Sequence, residues 1–212
     1  MHSVDLNYDP WQYLTVENFL SPERWEEIQD LARSEMEAYY NSNDLTISGK
    51  YIRYVDEDLL PESNVLYKEM ERFIEPPKNV KKVLHWAVCP PNYTMPMHCD
   101  YPARFFTAVF YINPLESYGT ILCENKTEYK EYKYPDCLKE ILLNDREIEV
   151  PWKPNKVFAF NNLPKAWHYY KAGDEPRICI QSFFCDVDLI LTGGSSKDEL
   201  DYLIDVDPKY YS

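Results

Sequence analysis

The segment from Thr94 to Pro114 reads TMPMHCDYPARFFTAVFYINP, and it combines a strand signal with two metal-ligating side chains. Residues Phe105 to Ile112 are mostly aromatic or β-branched and Asn113-Pro114 ends the run, so we predict a β-strand there. His98 and Asp100 lie two residues apart just before it. Because alternate residues of an extended chain point to the same side, both side chains can face one metal ion.

Two later residues complete a candidate site. His168 follows a predicted strand, and Arg177 opens the last one. Two histidines and a carboxylate are the ligands of the facial triad, which holds iron(II) and leaves positions open for oxygen and a cosubstrate. The guanidinium of Arg177 suits a dicarboxylate such as 2-oxoglutarate. The alternatives are structural hydrogen bonds for the two histidines and a surface salt bridge for the arginine.

Two helices are predicted before the series of strands. Ser21-Pro22-Glu23 is typical of a helix start, with serine as the N-cap and proline in the first turn. We expect the buried face of this helix to carry Trp25, Ile28, Leu31, Ala32 and Tyr39. A second helix is expected from near Glu62, burying Leu66, Met70 and Phe73.

The strands are short and separated by turn residues. Beyond Phe105 to Ile112 they are predicted over Leu14–Leu20, Val83–Cys89, Gly119–Cys123, Glu147–Val150, Lys156–Phe160 and Arg177–Cys185. This pattern predicts an α+β, mainly β protein built on a double-stranded β-helix, a jelly roll of the cupin type, with N-terminal helices packed on the sheet.

The chain length predicts one domain over residues 1–212. We divide it into an N-terminal helical support (about 1–79), a double-stranded β-helix core (about 80–186) and a tail (187–212). Residues 124–146, rich in Lys, Glu and Tyr, look like an insertion that includes a short helix near 138–143.

Composition restricts the partners. The net charge of -14 argues against a nucleic-acid-binding face, which needs clustered Lys and Arg. No stretch is apolar enough to span a membrane, and no signal peptide opens the sequence. The six cysteines form no C-x-x-C pair, which favours reduced thiols and a cytoplasmic location. The oligomeric state stays open.

Together these motifs resemble the 2-oxoglutarate/iron(II)-dependent oxygenases, in particular the prolyl 4-hydroxylase-like branch with small bacterial and phage members. MHCD matches the H-x-D element, and RICIQSFF resembles the closing strand headed by an arginine. The other resembling stretches are TVENFLSPERWEEI, VFYINP, YGTILC and PNKVFAFNNLPKAWH.

The resemblance implies that His98, Asp100 and His168 bind iron and that Arg177 binds the distal carboxylate of 2-oxoglutarate. It implies a hydrogen bond from the Tyr111 phenol to the same carboxylate, although Tyr111 can also be an ordinary strand aromatic. The implied reaction is hydroxylation of a substrate C–H bond with release of succinate and CO2, using Fe(II), 2-oxoglutarate, O2 and, in some relatives, ascorbate.

Departures from the family pattern limit the reaction. Gly119 stands alone where relatives have two glycines, and no second arginine follows Arg177 as in nucleobase demethylases. Asp100 fills the carboxylate position, which favours hydroxylation over halogenation. A peptidyl proline is the leading substrate, and a free amino acid or small metabolite is the next. A cupin-type metalloenzyme without 2-oxoglutarate and a non-catalytic jelly-roll binding module remain as alternatives.

Substrate contacts are expected from the mouth of the fold. The candidates are Arg104, Trp167, Tyr169, Tyr93 and the region from Tyr39 to Tyr54. Aromatic side chains there can stack on a proline ring or a flat ligand, although any one of them can also be plain packing.

Overall fold

A computed structural model of the protein describes residues 4–42, 49–72, 75–124, 146–163 and 165–191. Its elements, in chain order, are β1 (Val4–Asn7), β2 (Tyr13–Val16), α1 (Pro22–Asn41), β3 (Tyr51–Val55), α2 (Ser63–Met70), β4 (Val80–Cys89), β5 (Thr94–His98), β6 (Arg104–Asn113), β7 (Thr120–Glu124), β8 (Arg146–Val150), β9 (Lys156–Asn161), β10 (His168–Lys171), β11 (Arg177–Asp186) and α3 (Val187–Leu191). A 3-10 turn covers Glu57–Leu59.

The strands form two antiparallel sheets. The larger sheet has the order β1-β2-β9-β6-β11-β4-β3, and the smaller one has the order β5-β10-β7-β8. In the larger sheet, the ten-residue strands β4, β6 and β11 lie side by side and pair over almost their whole length. The chain is therefore mainly β, as the sequence predicts, with a rigid three-strand centre.

Side-chain alternation gives the larger sheet two different faces. On β6, the even-numbered residues Phe106 to Ile112 join the large core cluster that also contains Ile28 of α1 and Leu66 of α2. The odd-numbered Val109 and Tyr111 face the other way and pack with Leu122 and Val150 of the smaller sheet. The helices thus cover one face, and the smaller sheet covers the other, which we call the inner face.

The start of α1 agrees with the sequence prediction. The Ser21 hydroxyl accepts a hydrogen bond from the Arg24 backbone N–H at 3.3 Å, and Pro22 stands in the first turn. Ile28 and Ala32 are buried as expected, but Leu31 is 40% exposed, so its placement on the buried face was wrong. The apolar stripe is narrower than predicted.

Several strands differ from the sequence prediction. The first predicted strand stops at Val16 rather than Leu20, because Asn18 has a left-handed backbone (φ 49°) that ends the extension. Asn155 then holds the turn through bonds with the backbone N–H and carbonyl of Leu20. Strands β1, β3, β5 and β10 were missed, since all four are short and β5 contains Pro96.

Some predicted features lie outside the described residues, namely Phe73, nearly all of the 124–146 segment and most of the tail. Within the described part of the chain, no helix has both the length and the hydrophobicity needed to cross a membrane. The five cysteines described there are buried and not disulfide-bonded.

Gly119 is a packing constraint at the start of β7. A Cβ added there would lie 1.8 Å from the Val150 carbonyl oxygen and 2.9 Å from the Trp152 nitrogen, so backbone would have to move. We expect Gly119→Ala to destabilise the protein by about 1–3 kcal/mol, measured by chemical denaturation. The control is Gly173→Ala, whose Cβ would meet nothing within 4 Å. Equal stabilities of the two variants would contradict this packing account.

Candidate metal centre

Strand pairing in the smaller sheet brings three side chains together. His98 of β5 and His168 of β10 are direct cross-strand partners, and their ring centroids are 4.5 Å apart. Asp100 follows two residues after His98, and its Oδ1 lies 3.8 Å from His98 Nε2 and 3.9 Å from His168 Nε2. Ligand atoms of all three residues lie within 4.8 Å of one another, close enough for one metal ion.

Hydrogen bonds fix which nitrogen of each histidine is available. His98 Nδ1 lies 2.8 Å from the Pro96 carbonyl oxygen, and His168 Nδ1 lies 2.9 Å from that of Ala166. A carbonyl only accepts, so both Nδ1 atoms donate and both Nε2 atoms carry the lone pair. Both rings thus turn Nε2 toward Asp100 in the state that binds metal.

Burial sets the charges of the site. Burial, assisted by the proximity of His168, lowers the pKa of His98 to about 3, so this ring is neutral at pH 7. Burial alone would raise the pKa of Asp100, but His168, Arg104 and His98 together lower it below its usual value. The cluster therefore offers a neutral imidazole nitrogen and an ionised carboxylate without first losing protons, which favours metal binding.

Two residues orient the Asp100 carboxylate. The Thr107 hydroxyl donates a 2.6 Å hydrogen bond to Oδ2, and Arg104 Nη1 lies 3.7 Å from Oδ1. Thr107 belongs to β6, so this bond also ties the metal-ligating segment to the larger sheet. Such outer contacts hold a ligand in its binding orientation.

Arg177 lies on the inner face with its charge buried; the residue is 1% exposed. Its guanidinium carbon lies 4.2 Å from the ring centre of Tyr170, 4.8 Å from that of Trp152 and 5.5 Å from that of Tyr111. Its Nε has no hydrogen-bond partner, and no carboxylate forms a salt bridge with it in the described parts of the chain. Cation–π contacts alone leave such a charge without a counter-ion.

Tyr170 connects this arginine to the metal-ligating residues. It stands two residues after His168 on β10, so the two side chains share one face of that strand. The smaller sheet therefore carries a histidine of the cluster and an aromatic wall of the Arg177 site side by side.

Tyr111 is fully buried beside Arg177. Its phenol lies 2.8 Å from the Thr120 hydroxyl and accepts a bond from the Thr120 N–H at 3.3 Å, and its ring stacks on Trp152. Burial raises the pKa of Tyr111, so the phenol stays protonated at neutral pH. The predicted hydrogen bond from Tyr111 to the cosubstrate stays a prediction, and the sequence reasoning did not foresee the Trp152 and Thr120 contacts.

The residues that the sequence offered as substrate contacts lie in several different places. Arg104 reaches Asp100, whereas Trp167 packs with Met97 and Cys99 in a separate cluster and Tyr169 bonds to Glu147. Tyr169 alternates with His168 along β10 and so points away from the inner face, and Trp167 stands just before that strand. Their predicted contact with a substrate stays a prediction. The sequence reasoning overlooked Thr107, which alternation along β6 places on the same face as Tyr111, and also Tyr170.

Asn113, at the end of β6, donates a 3.0 Å bond to Gln29 of α1. Phe183 lies on the inner face under Arg104, whose guanidinium carbon is 3.9 Å from the ring centre.

No protein-family model matches the sequence, and no curated protein matches it. Several solved structures are similar to the protein in fold. A prolyl-4-hydroxylase from Pseudomonas putida is similar with a TM-score of 0.59 and 15% identity, over 82% of this chain and 91% of that one. The 2-oxoglutarate complex of a viral collagen prolyl hydroxylase from Paramecium bursaria Chlorella virus-1 is similar with a TM-score of 0.56 and 13% identity. This similarity covers 85% of this chain and 98% of that one.

A third similar structure has a different reaction. The non-heme alpha-ketoglutarate-dependent epimerase SnoN from nogalamycin biosynthesis gives a TM-score of 0.55 and 15% identity, over 82% of this chain and 78% of that one. The chain therefore has the fold shared by these prolyl hydroxylases and non-heme oxygenases. The resemblance that the sequence motifs indicate is confirmed at the level of the fold.

The Thr107 bond to Asp100 generates a prediction. Thr107→Val keeps the shape but removes the hydroxyl donor, so Asp100 loses part of its orientation, and we expect about 10- to 100-fold weaker binding of Mn(II) or Co(II) by calorimetry. Thr94→Val, at an exposed position of β5, is the control and should bind as the unmodified protein does. Unchanged affinity in Thr107→Val would show that this bond does not support the metal site.

Proposed function

We propose that the protein is an Fe(II)- and 2-oxoglutarate-dependent dioxygenase that hydroxylates a C–H bond of its substrate and releases succinate and CO2. The observation that carries this proposal is the buried Arg177, which has no counter-ion among the described residues and lies on the same inner face as the His98–Asp100–His168 cluster. A set of metal-ligating side chains alone occurs in many kinds of protein. Such a set beside a buried cation suits a dicarboxylate that chelates the metal with one end and binds the cation with the other.

The proposed architecture is the double-stranded β-helix. The facing sheets, the site on the inner face and the likeness to prolyl-4-hydroxylase structures support it. In such a fold the metal-binding residues lie between the sheets, where water access is limited.

The donor set fits iron(II). His98 and His168 would hold the ion through Nε2 and Asp100 through Oδ1, leaving one face open. When bound, iron supplies the oxygen activation that no side chain of this chain can perform. Burial keeps the His98 imidazole neutral, and Thr107 and Arg104 hold the Asp100 carboxylate in place.

Arg177 would bind the distal carboxylate of 2-oxoglutarate, and Tyr111 would add a phenol hydrogen bond. The aromatic rings of Trp152 and Tyr170 support this because they exclude water from the guanidinium and strengthen its attraction to an anion. Bidentate binding by arginine also fixes the orientation of the cosubstrate.

The substrate proposal begins with a peptidyl proline. The similar structures from Pseudomonas putida and the Chlorella virus carry the names of prolyl hydroxylases, while SnoN is named as an epimerase. A free amino acid or small metabolite is the next class. O2 is the proposed oxidant, and ascorbate is the proposed reductant. The proposed location is the cytoplasm, where thiols stay reduced.

The first test is anaerobic addition of Fe(II) and 2-oxoglutarate to the apo-protein. We expect the weak visible absorption band of an iron–2-oxoglutarate chelate. His168→Ala should abolish it by removing an iron ligand, and Arg177→Met should weaken it by lowering 2-oxoglutarate affinity. Arg72→Met, at an exposed position, is the control. No band with iron-loaded protein would reject this function and favour either a metalloenzyme without 2-oxoglutarate or a binding module.

A second prediction concerns the phenol of Tyr111. Tyr111→Phe removes one hydrogen bond but keeps the ring on Trp152, so we expect KM for 2-oxoglutarate to rise about 5- to 20-fold, corresponding to about 1–2 kcal/mol. Tyr118→Phe, at a half-exposed position, serves as the control. An unchanged KM would assign Tyr111 to packing alone.

A further inference from the structure

His85 is a buried histidine outside the metal-ligating cluster, and the proposed reaction so far gives it no role. It is 2% exposed and lies on β4 opposite Gln181 of β11. Its neighbours Leu84 and Trp86 join the core cluster under the helices. Because side chains alternate along a strand, His85 lies on the inner face, the same face as the candidate metal centre.

One ring nitrogen of His85 is bonded and the other is not. Nε2 lies 2.8 Å from Gln181 Oε1, and an amide oxygen only accepts, so Nε2–H donates and Nδ1 carries the lone pair. Nδ1 is buried and has no hydrogen-bond partner among the described residues. Burial, assisted by the charge of Arg104, lowers the pKa of His85 to about 3, so the ring is neutral at pH 7. A buried acceptor without a donor is unfavourable, and a donor supplied by a ligand would remove that cost.

His85 lies close to the segment that carries Asp100, the connection between β5 and β6. Ala103 of this connection packs in one cluster with Phe183, and the His85 ring centre lies 5.2 Å from that of Phe183. The Arg104 guanidinium carbon is 3.9 Å from the same Phe183 ring centre, and Nη1 of Arg104 is 3.7 Å from Asp100 Oδ1. Neighbouring side chains thus link His85 to the metal-ligating carboxylate.

His85 also lies apart from the proposed 2-oxoglutarate site. Its partner Gln181 is four residues from Arg177 on β11, which is about 13 Å along an extended strand. The aromatic rings beside the two groups are different: Tyr111, Trp152 and Tyr170 at Arg177, and Tyr54 and Phe183 at His85. Nδ1 of His85 is therefore available to a second ligand while Arg177 binds the cosubstrate.

The inner face is open on the side where His85 lies. Gln181 stays partly exposed although β11 pairs with a strand on each side. Tyr54, which neighbours His85 on the edge strand β3, is partly exposed as well. The other side of this face is closed by buried aromatic residues, including Phe158 and Phe160. A substrate that enters from the open side meets His85 before the metal-ligating side chains.

We infer that His85 positions the substrate by accepting, at Nδ1, a hydrogen bond from a neutral N–H or O–H of the substrate. This inference rests on the proposed function and specifies a group that the substrate must carry. A neutral donor suits the position better than an ammonium group, because the nearby charge of Arg104 repels a second cation. In a peptidyl proline the donor is the backbone N–H of a neighbouring residue, since the proline nitrogen carries no hydrogen. In a small metabolite it is a hydroxyl or an amide.

NMR of the histidine side chains tests the acceptor directly. In isotope-labelled protein loaded with redox-inert Zn(II) and 2-oxoglutarate, long-range proton–nitrogen spectra distinguish protonated from unprotonated ring nitrogens. We expect His85 to be protonated at Nε2 and unprotonated at Nδ1 at pH 7. The His85→Leu variant assigns the signal by removing it. A ring that carries its proton on Nδ1 would overturn the inference.

Uncharged probes that differ in one donor test the binding. The pairs are pyrrolidin-2-one with N-methylpyrrolidin-2-one, and benzyl alcohol with benzyl methyl ether. We expect the donor of each pair to bind about 3- to 10-fold more tightly and to shift the His85 Nδ1 resonance, because it gains one hydrogen bond. Benzylamine, which is charged at pH 7, should bind more weakly than benzyl alcohol. Equal affinities within both pairs, or no binding by any probe, would overturn the inference.

Two variants of similar size separate the acceptor from packing. His85→Leu and His85→Asn both remove the ring, but only asparagine keeps an oxygen acceptor. The preference for donors should disappear in His85→Leu and persist in His85→Asn. A preference that persists in His85→Leu, or that is lost equally in both variants, would reject the role of Nδ1. Binding of 2-oxoglutarate is followed in the same samples. Its failure would reject the proposed function, whereas 2-oxoglutarate binding without a donor preference would reject the inference alone.

Discussion

The buried charge of Arg177 is the constraint on which the functional interpretation depends. A guanidinium that is 1% exposed has lost its hydration, and the aromatic rings around it return only part of that free energy. The described residues supply it with no carboxylate, and a bound anion would complete the arrangement. Charged residues are rarely buried this fully without a partner, which makes a ligand-binding role the simplest physical account.

The strand order explains how the site is assembled from distant parts of the sequence. Pairing of β5 with β10 places His98 opposite His168, although 70 residues of sequence separate them. The Thr107 bond then joins Asp100 to β6, and β6 pairs with β11, the strand that begins with Arg177. His98, His168 and Arg177 are therefore held by strands, and Asp100, in the connection between β5 and β6, is held by its bond to Thr107. This gives the precise positioning that the proposed oxygenase chemistry needs.

The sequence predicts the parts of the fold that rely on local pattern. The β-branched and aromatic runs of β6 and β11 are strong signals, and residue spacing identified the three candidate metal ligands and Arg177. The rest depends on tertiary contacts. Trp152 is an example, because folding brings its ring onto Tyr111 and beside the Arg177 guanidinium. Strand β5, TMPMH, has little intrinsic β preference and is set by its pairing with β10.

The fold shared with prolyl hydroxylases and an epimerase leaves the substrate to be decided by individual side chains. The His98–Asp100–His168 site and Arg177 support the proposed reaction type for a peptide and for a small metabolite alike.

The most direct test of the central claim is a crystal structure with Mn(II), used as a redox-stable substitute for iron, and 2-oxoglutarate bound without oxygen. The account predicts an anomalous peak between His98, Asp100 and His168, and a 2-oxoglutarate whose distal carboxylate contacts Arg177 beside Tyr111. Metal bound elsewhere, or a 2-oxoglutarate that leaves Arg177 without an anion, would contradict it.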